Sequence, residues 1–107
     1  MFYRLNDWDN AVIAIIRDKQ LLMPRTDVLV ELKKWAARTR PATKAVEVEA
    51  MLTRTLQKLT ANQRALGAHH TGLVRGNHYG LKEWFFASSG KLRRKHLPKL
   101  VITDNDR

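Results

Sequence analysis

The chain has 107 residues, of which 44% are apolar, and it contains no cysteine. This length allows one domain with a modest core, and the lack of thiols excludes disulfide frameworks, thiolate zinc fingers and cysteine nucleophiles. Lys and Arg total 20 against 10 Asp and Glu, and the net charge of +10 indicates an anionic partner. The longest apolar stretch, 11–16, is too short to span a bilayer, and no signal-peptide pattern precedes it. We therefore expect a soluble, cytoplasmic protein without a membrane partner.

Apolar residues recur at spacings of three and four through the N-terminal half, which predicts amphipathic helices. The first stripe consists of Trp8, Ala11, Val12, Ile15 and Ile16. Asn6 or Asp7 is the predicted cap of this helix, and Pro24 is its predicted end. Thr26 or Asp27 is the predicted cap of the second helix. Its inward stripe consists of Val28, Leu29, Leu32, Trp35 and Ala36.

The longest predicted helix starts at Thr43, after Pro41 has ended the second one. Its buried face consists of Ala45, Val48, Leu52, Leu56 and Leu59. Thr60 is followed three positions later by Gln63, which is the spacing of a capping box. We therefore predict a new helix, or a break in direction, near Thr60.

The C-terminal third combines a glycine-rich loop with two short predicted helices. The segment 69–80 contains three glycines at intervals of four and is interpreted as a loop. A helix is predicted over 81–87, and another begins at Lys91 and stops before Pro98. A weak strand candidate covers 99–103, and the last five residues form a polar tail that we expect to fray.

These elements predict an all-α domain of five or six helices. The single domain 1–107 would comprise a helical core over 1–59 and a basic part over 60–102. The polar tail 103–107 completes it.

The basic residues are distributed unevenly. Residues 1–59 carry a net charge of +4, whereas 60–100 carry +7 with Glu83 as their one acid. A smaller cluster in the first part consists of Lys33, Lys34, Arg38, Arg40 and Lys44. Basic clusters bind phosphate backbones because binding releases condensed counterions. The alternative interpretation is a solvated basic face that serves solubility.

The two short helices predict a helix-turn-helix. Residues 81–87 would form its first helix, 88–90 the turn and 91–97 the recognition helix in the major groove. Arg94 would then point outward, and arginine is well matched to guanine O6 and N7. The predicted nucleic-acid-binding residues are Arg64, Arg75, His78, Ser88, Ser89, Lys91, Arg93, Arg94, Lys95 and Lys99. The predicted function is therefore a DNA-binding transcriptional regulator.

A family resemblance supports this interpretation. The segment Leu-Thr-Ala-Asn-Gln-Arg-Ala-Leu at 59–66 resembles the start of a sigma-factor region-4 module. From 40 to 102 the layout is similar to phage antitermination proteins of the Q type, with an Arg-Pro step, a glycine-containing loop and a basic terminal helix. The spacing of the three loop glycines departs from the sigma pattern. The resemblance implies a bacterial or phage DNA-binding regulator that also contacts RNA polymerase. It places Arg64, Lys91, Arg93, Arg94 and Lys95 near DNA.

The histidines are candidate metal ligands, and His70, Asn77 and His78 invite comparison with His-Asn-His nucleases. His69 and His70 are adjacent, and no carboxylate lies between 60 and 82 to complete a metal shell. We interpret these two residues as the end of a helix and His78 as a phosphate donor in a loop. The chain also lacks a catalytic triad, a phosphate loop and a dinucleotide fingerprint. We therefore predict a protein that is not an enzyme and has no metal or cofactor.

The aromatic residues leave two other functions open. Trp8, Trp35 and Trp84 lie on apolar stripes and are interpreted as core residues. Alternatively, Phe2, Tyr3 and Trp8 form an exposed patch for a second subunit or a partner helix. A protein-interaction adaptor or inhibitor, for example of RNA polymerase, would use the Trp8 and Trp35 face. RNA binding through the basic surface is the other alternative, with Tyr79 stacked on a base.

Overall fold

A computed structural model describes residues 4–106, and Phe2 and Tyr3 lie outside the described residues. Its main elements, in chain order, are α1 (Asp7–Lys19), β1 (Met23–Pro24), α2 (Arg25–Thr39), α3 (Ala45–Thr60), β2 (Leu66–His69) and β3 (His78–Leu81). The three strands form an antiparallel sheet in the order β1-β3-β2. Four 3-10 turns complete the described chain: Ala61–Gln63, Lys82–Trp84, Arg94–Lys99 and Asp104–Asp106. The fold is therefore mixed α and β, and the all-α prediction of five or six helices is wrong.

The three predicted N-terminal helices are present, but their caps are only partly as predicted. Asn6 caps α1 in a reciprocal capping box, in which its side chain and that of Asp9 each accept from the other's backbone N–H. The predicted cap of α2 is wrong, because Pro24 precedes that helix and no side chain caps it. Thr60 ends α3 but does not cap a further helix, since its hydroxyl donates back to the Leu56 carbonyl at 2.6 Å.

The core lies where α1, α2 and α3 pack against one another and against the sheet. Its fully buried residues include Val12, Ile16, Val28, Leu32, Leu52, Leu59 and Leu66. Most of these were predicted from the helical stripes. Ala45 is an exception, because it stands at the start of α3 and is exposed.

The C-terminal third pairs as strands where the sequence predicts helix or loop. His69 belongs to β2 and lies opposite His78 in β3, so the interpretation of His69 as a helix end is wrong. The strand candidate at 99–103 is also wrong, since no strand is assigned there. Its Lys99 carbonyl instead accepts from the Leu22 backbone N–H at 2.9 Å.

The predicted helix-turn-helix is absent from the described chain. Leu81 ends β3 with extended backbone, and Phe85 is also extended and pairs antiparallel with Leu92. The residues between them form a hairpin, because the Phe86 N–H donates to the Lys91 carbonyl at 2.8 Å. No α-helix therefore covers 81–87 or 91–97.

Two glycines explain why this segment folds onto the sheet. Gly67 in β2 lies directly opposite Gly80 in β3, and aromatic rings occupy the space beside both. A Cβ on Gly67 would lie 2.4 Å from the Phe85 ring, and a Cβ on Gly80 would lie 2.6 Å from the Trp84 ring. Only residues without a side chain allow the rings to approach so closely.

We predict that Gly67→Ala lowers the free energy of unfolding by about 1–3 kcal/mol, because the added methyl overpacks the Phe85 ring. Urea denaturation measures this change. Phe85→Leu is destabilising on its own, but combined with Gly67→Ala it should cost less than the sum of the two single changes. Additive costs would contradict the direct contact between Gly67 and Phe85.

Candidate nucleic-acid interface

The segment 82–99 carries the densest basic surface of the described chain. Its cations are Lys82, Lys91, Arg93, Arg94, Lys95 and Lys99, and Glu83 is its one acid. None of these six side chains forms an ion pair within residues 4–106. We call this set the basic surface.

The helical part of the chain, residues 4–60, differs from the basic surface because many of its cations have carboxylate partners. Arg40 pairs with Asp7, and Lys58 lies 2.5 Å from the buried carboxylate of Asp9. Lys19 also pairs with an acid on α2, at 3.4 Å from Glu31. Internal pairing therefore neutralises part of the charge of the helices and leaves the charge of the basic surface unbalanced.

The hairpin positions the first half of the basic surface. Gly90 has a φ of 71°, a left-handed conformation that turns the chain back toward Lys91. Ser88 and Ser89 lie exposed at its tip, and the Ser89 hydroxyl oxygen accepts from the Lys91 backbone N–H at 3.2 Å. The predicted residues Ser88, Ser89 and Lys91 are therefore neighbours, as part of a hairpin turn instead of a helix cap.

Arg93 is held beside an exposed aromatic ring. Its Nε donates to the Phe85 carbonyl at 3.2 Å, and its guanidinium lies 4.7 Å from the centre of the Phe86 ring. Phe86 is 43% exposed. The cation–π contact orients Arg93 but leaves both groups accessible from outside.

Trp84 anchors the second half of the basic surface. The ring is buried, with His96 stacked at 5.8 Å and the Lys99 ammonium 5.3 Å from its centre. Burial lowers the pKa of His96, and the positive charges of Lys99, Lys95 and Arg93 lower it further. Both effects favour the neutral form of His96, which stacks on Trp84. Arg94 and Lys95, on the 3-10 turn Arg94–Lys99, extend into solvent.

Arg75 and His78 lie apart from the basic surface. Arg75 donates to Asp106 at 2.5 and 3.1 Å and to Asp27 at 2.9 Å. His78 has an exposed fraction of 0%, with its Nδ1 3.2 Å from the Gly76 carbonyl oxygen and its Nε2 3.7 Å from Asp106. Both residues are thus engaged inside the fold, and burial keeps His78 from the phosphate contact predicted for it.

Asp106 joins the end of the described chain to the β2–β3 loop. The Arg75 guanidinium, followed by the Thr103 backbone N–H, holds the pKa of Asp106 well below its usual range. The same bond to Asp106 raises the pKa of Arg75. The prediction of a frayed tail is wrong for residues 103–106, because hydrogen bonds from Arg75 and Val74 to Asp106 hold them against the β2–β3 loop.

The corner between α3 and β2 combines strained backbone with a polar cleft. Asn62 and Gln63 both have left-handed backbone, with φ values of 56° and 50°, and this conformation costs non-glycine residues roughly 1–2 kcal/mol each. Arg64 follows them and is half-buried, with interactions inside the fold. A cleft of about 430 Å³ lies between this corner, the hairpin tip and the β2–β3 loop.

Of the residues that line this cleft, only Ser89 and Tyr79 were predicted from sequence to contact nucleic acid. Gln63 was interpreted as part of a capping box, and His70 as the end of a helix. In the structure both line the cleft together with Asn77 and Tyr79. His70 and Asn77 stand at the two ends of the glycine-rich loop. A hairpin through this loop would bring their side chains together, so their spacing is a sequence signal for the cleft.

Trp8 and Trp35 meet edge to face with ring centres 5.0 Å apart, and both are half-buried. Beside them, a groove of about 640 Å³ between α1 and α2 is lined by Ala11, Ala14 and Ile15. This groove lies on the face that the adaptor interpretation would use.

No family model, curated protein or solved structure matches the chain. The resemblance to antitermination proteins and sigma-factor modules therefore stays a prediction. Between residues 4 and 106, no helix combines the length and hydropathy needed to cross a bilayer. Within the same range, no three His, Asp or Glu side chains are grouped to hold a metal ion.

We predict that Asp106→Asn destabilises the protein at pH 7, because it removes the partner of the Arg75 guanidinium. A carboxylate whose pKa is lowered in the folded state stabilises the fold at pH values above its unfolded-state pKa of about 3.9. This contribution disappears as the pH falls through the folded-state pKa. The difference in unfolding midpoint between wild type and variant should therefore narrow below about pH 4.

Urea denaturation at pH 7 and pH 3 measures this difference. Asp104→Asn is the matched control, because Asp104 is exposed and forms no ion pair within the described chain. An Asp106→Asn effect of equal size at both pH values would contradict the role of the charged pair.

Proposed function

We propose that the protein binds nucleic acid through phosphate contacts of the basic surface, with DNA as the first candidate and transcriptional regulation as its role. One observation carries the proposal: six cations lie within 18 residues and none has a carboxylate partner in the described chain. Cations without a carboxylate partner keep their charge available to an external anion. Each phosphate that they neutralise releases counterions, which favours binding at low salt.

The geometry of the basic surface suits contact with a phosphate backbone. Arg94 and Lys95 are exposed, and Lys91 stands at a hairpin tip that can approach a groove wall. Hydroxyl groups of Ser88 and Ser89 at the same tip are also common phosphate partners. Such contacts position a protein on nucleic acid without reading its sequence.

We do not propose that a recognition helix reads the bases. Arg94 was predicted to read guanine from a helix, but it begins a 3-10 turn that contains Pro98. The proposal therefore concerns phosphate binding, and a contact with RNA polymerase remains a further proposal that rests on the resemblance.

A triple variant in which Gln replaces Lys91, Arg94 and Lys95 tests this proposal. We expect the triple variant to bind labelled DNA roughly tenfold more weakly or worse at low salt. The slope of log K against log salt should fall by about 2.7 units on duplex DNA, since each phosphate contact contributes about 0.9. Fluorescence anisotropy across a salt series measures both quantities.

A second triple variant provides the control. Lys33, Arg38 and Lys44 are exposed on the helical part without carboxylate partners, so changing them to Gln removes the same net charge elsewhere. We expect this variant to change the salt slope by less than one unit. Equal effects of the two variants would show diffuse attraction and contradict a defined interface.

The groove beside Trp35 favours a second candidate, a protein-interaction module. Its lining combines apolar residues, such as Ala14 and Ile15, with charged ones that include Glu31 and Arg38. Failure of the wild-type protein to bind duplex DNA, single strands or RNA at low salt would favour this candidate over nucleic-acid binding.

A further inference from the structure

We propose that the cleft beside the hairpin tip binds one unpaired base of a nucleic-acid strand whose phosphates contact the basic surface. The inference rests on the proposed function and specifies its ligand, a single-stranded segment. The cleft has a volume of about 430 Å³, within the usual range of about 300–1,000 Å³ for small-molecule sites. Its lining combines an aromatic ring with amide, imidazole and hydroxyl groups.

The side chains that line this cleft include both hydrogen-bond donors and hydrogen-bond acceptors. His70 Nδ1 lies 2.7 Å from Asn77 Oδ1, and because an amide oxygen only accepts, Nδ1 carries the proton. The neutral imidazole with this tautomer offers Nε2 as an acceptor, and the Asn77 amide nitrogen keeps two donor hydrogens. A nucleobase edge presents donors and acceptors side by side, which matches this pair.

Gln63 closes the other side of the cleft. Its Nε2 donates to the Phe86 carbonyl at 3.4 Å, which ties the α3–β2 corner to the hairpin and leaves Oε1 as an acceptor. Gln63 follows Asn62 in the left-handed region, so the backbone holds this amide in place at a conformational cost. Strained backbone of this kind is concentrated at functional sites.

Tyr79 supplies the aromatic surface. It lies in the central strand β3 between Ala68 of β2 and Met23 of β1, where its side chain packs partly against the core and is half-exposed. Its hydroxyl forms no hydrogen bond within residues 4–106. Aromatic rings stack on bases of any identity, and Tyr also offers a polar group at its edge.

The cleft is continuous with the basic surface through Ser89. This residue lines the cleft, and its hydroxyl oxygen accepts from the backbone N–H of Lys91. A strand with its phosphates at Lys91 can therefore place an adjacent base in the cleft. Bases in a duplex are paired and stacked, so the cleft selects unpaired strands.

Binding assays on the full chain with labelled oligonucleotides of roughly 12 nucleotides test the proposal. One mixed sequence is used as single-stranded DNA, as single-stranded RNA and as duplex DNA, all at the same salt. We expect at least one single strand to bind about tenfold more tightly than the duplex. The DNA and RNA arms identify which sugar the site accepts.

Two variants remove groups from the cleft without removing charge. Gln63→Gly deletes the amide together with its hydrogen bond to the Phe86 carbonyl, and the relief of the left-handed backbone strain offsets that loss, so the variant should still fold. Asn77→Ala deletes the donor beside His70. We expect each to weaken single-strand binding about tenfold while the salt slope stays unchanged, because no phosphate contact is lost.

Asn62→Gly is the matched control, since Asn62 is also left-handed but does not line this cleft. It should bind single strands as wild type does. Equal affinity of wild type for single strands and duplex, or equal affinity of all three variants for single strands, would overturn the base site. The phosphate-binding proposal would survive that result if neutralising Lys91, Arg94 and Lys95 still weakened binding. If that triple variant bound as wild type does, the proposed function would fail and the base site with it.

Discussion

The contact between paired glycines and aromatic rings is the constraint on which the C-terminal half depends. Gly67 and Gly80 lie opposite each other in the sheet, and Phe85 and Trp84 pack where side chains would otherwise stand. This packing holds Phe85 in extended backbone after the 3-10 turn Lys82–Trp84, and the hairpin to Leu92 follows from it. The sheet thereby gains a cover of aromatic rings that the three helices do not provide.

The same packing determines how the positive charge is displayed. Trp84 and Phe85 are buried, so the residues that flank them turn outward as a hairpin and a 3-10 turn. Carboxylates lie mainly on the helices, where Asp7, Asp9 and Glu31 already pair with cations. The basic surface is thus separated from the acids that would neutralise it, and its charge is available to a polyanion. The cleft at Gln63 adds a neutral polar site at its edge.

The helices could be predicted from sequence because their signal is local, whereas the sheet could not. The stripe on α1 and the cap at Asn6 both lie within the helix that they specify. Leu81, Trp84 and Phe85 have helical spacing too, but their partners are residues 66–67 and 92, which a periodicity analysis does not connect. Exposed members of the predicted interface, such as Arg94, lie at the surface as expected. Buried members such as His78 depend on tertiary contacts that a single sequence does not reveal.

Nuclear Overhauser effects in the wild-type protein test the central claim most directly, because they report which protons lie close together in the C-terminal third. The account predicts contacts between the Gly67 α-protons and the Phe85 ring, and cross-strand contacts between Phe85 and Leu92. Helical contacts between residues three apart over 81–87 and 91–97, without the Gly67 contacts, would contradict it. That result would restore the helix-turn-helix and remove both the hairpin and the cleft beside it.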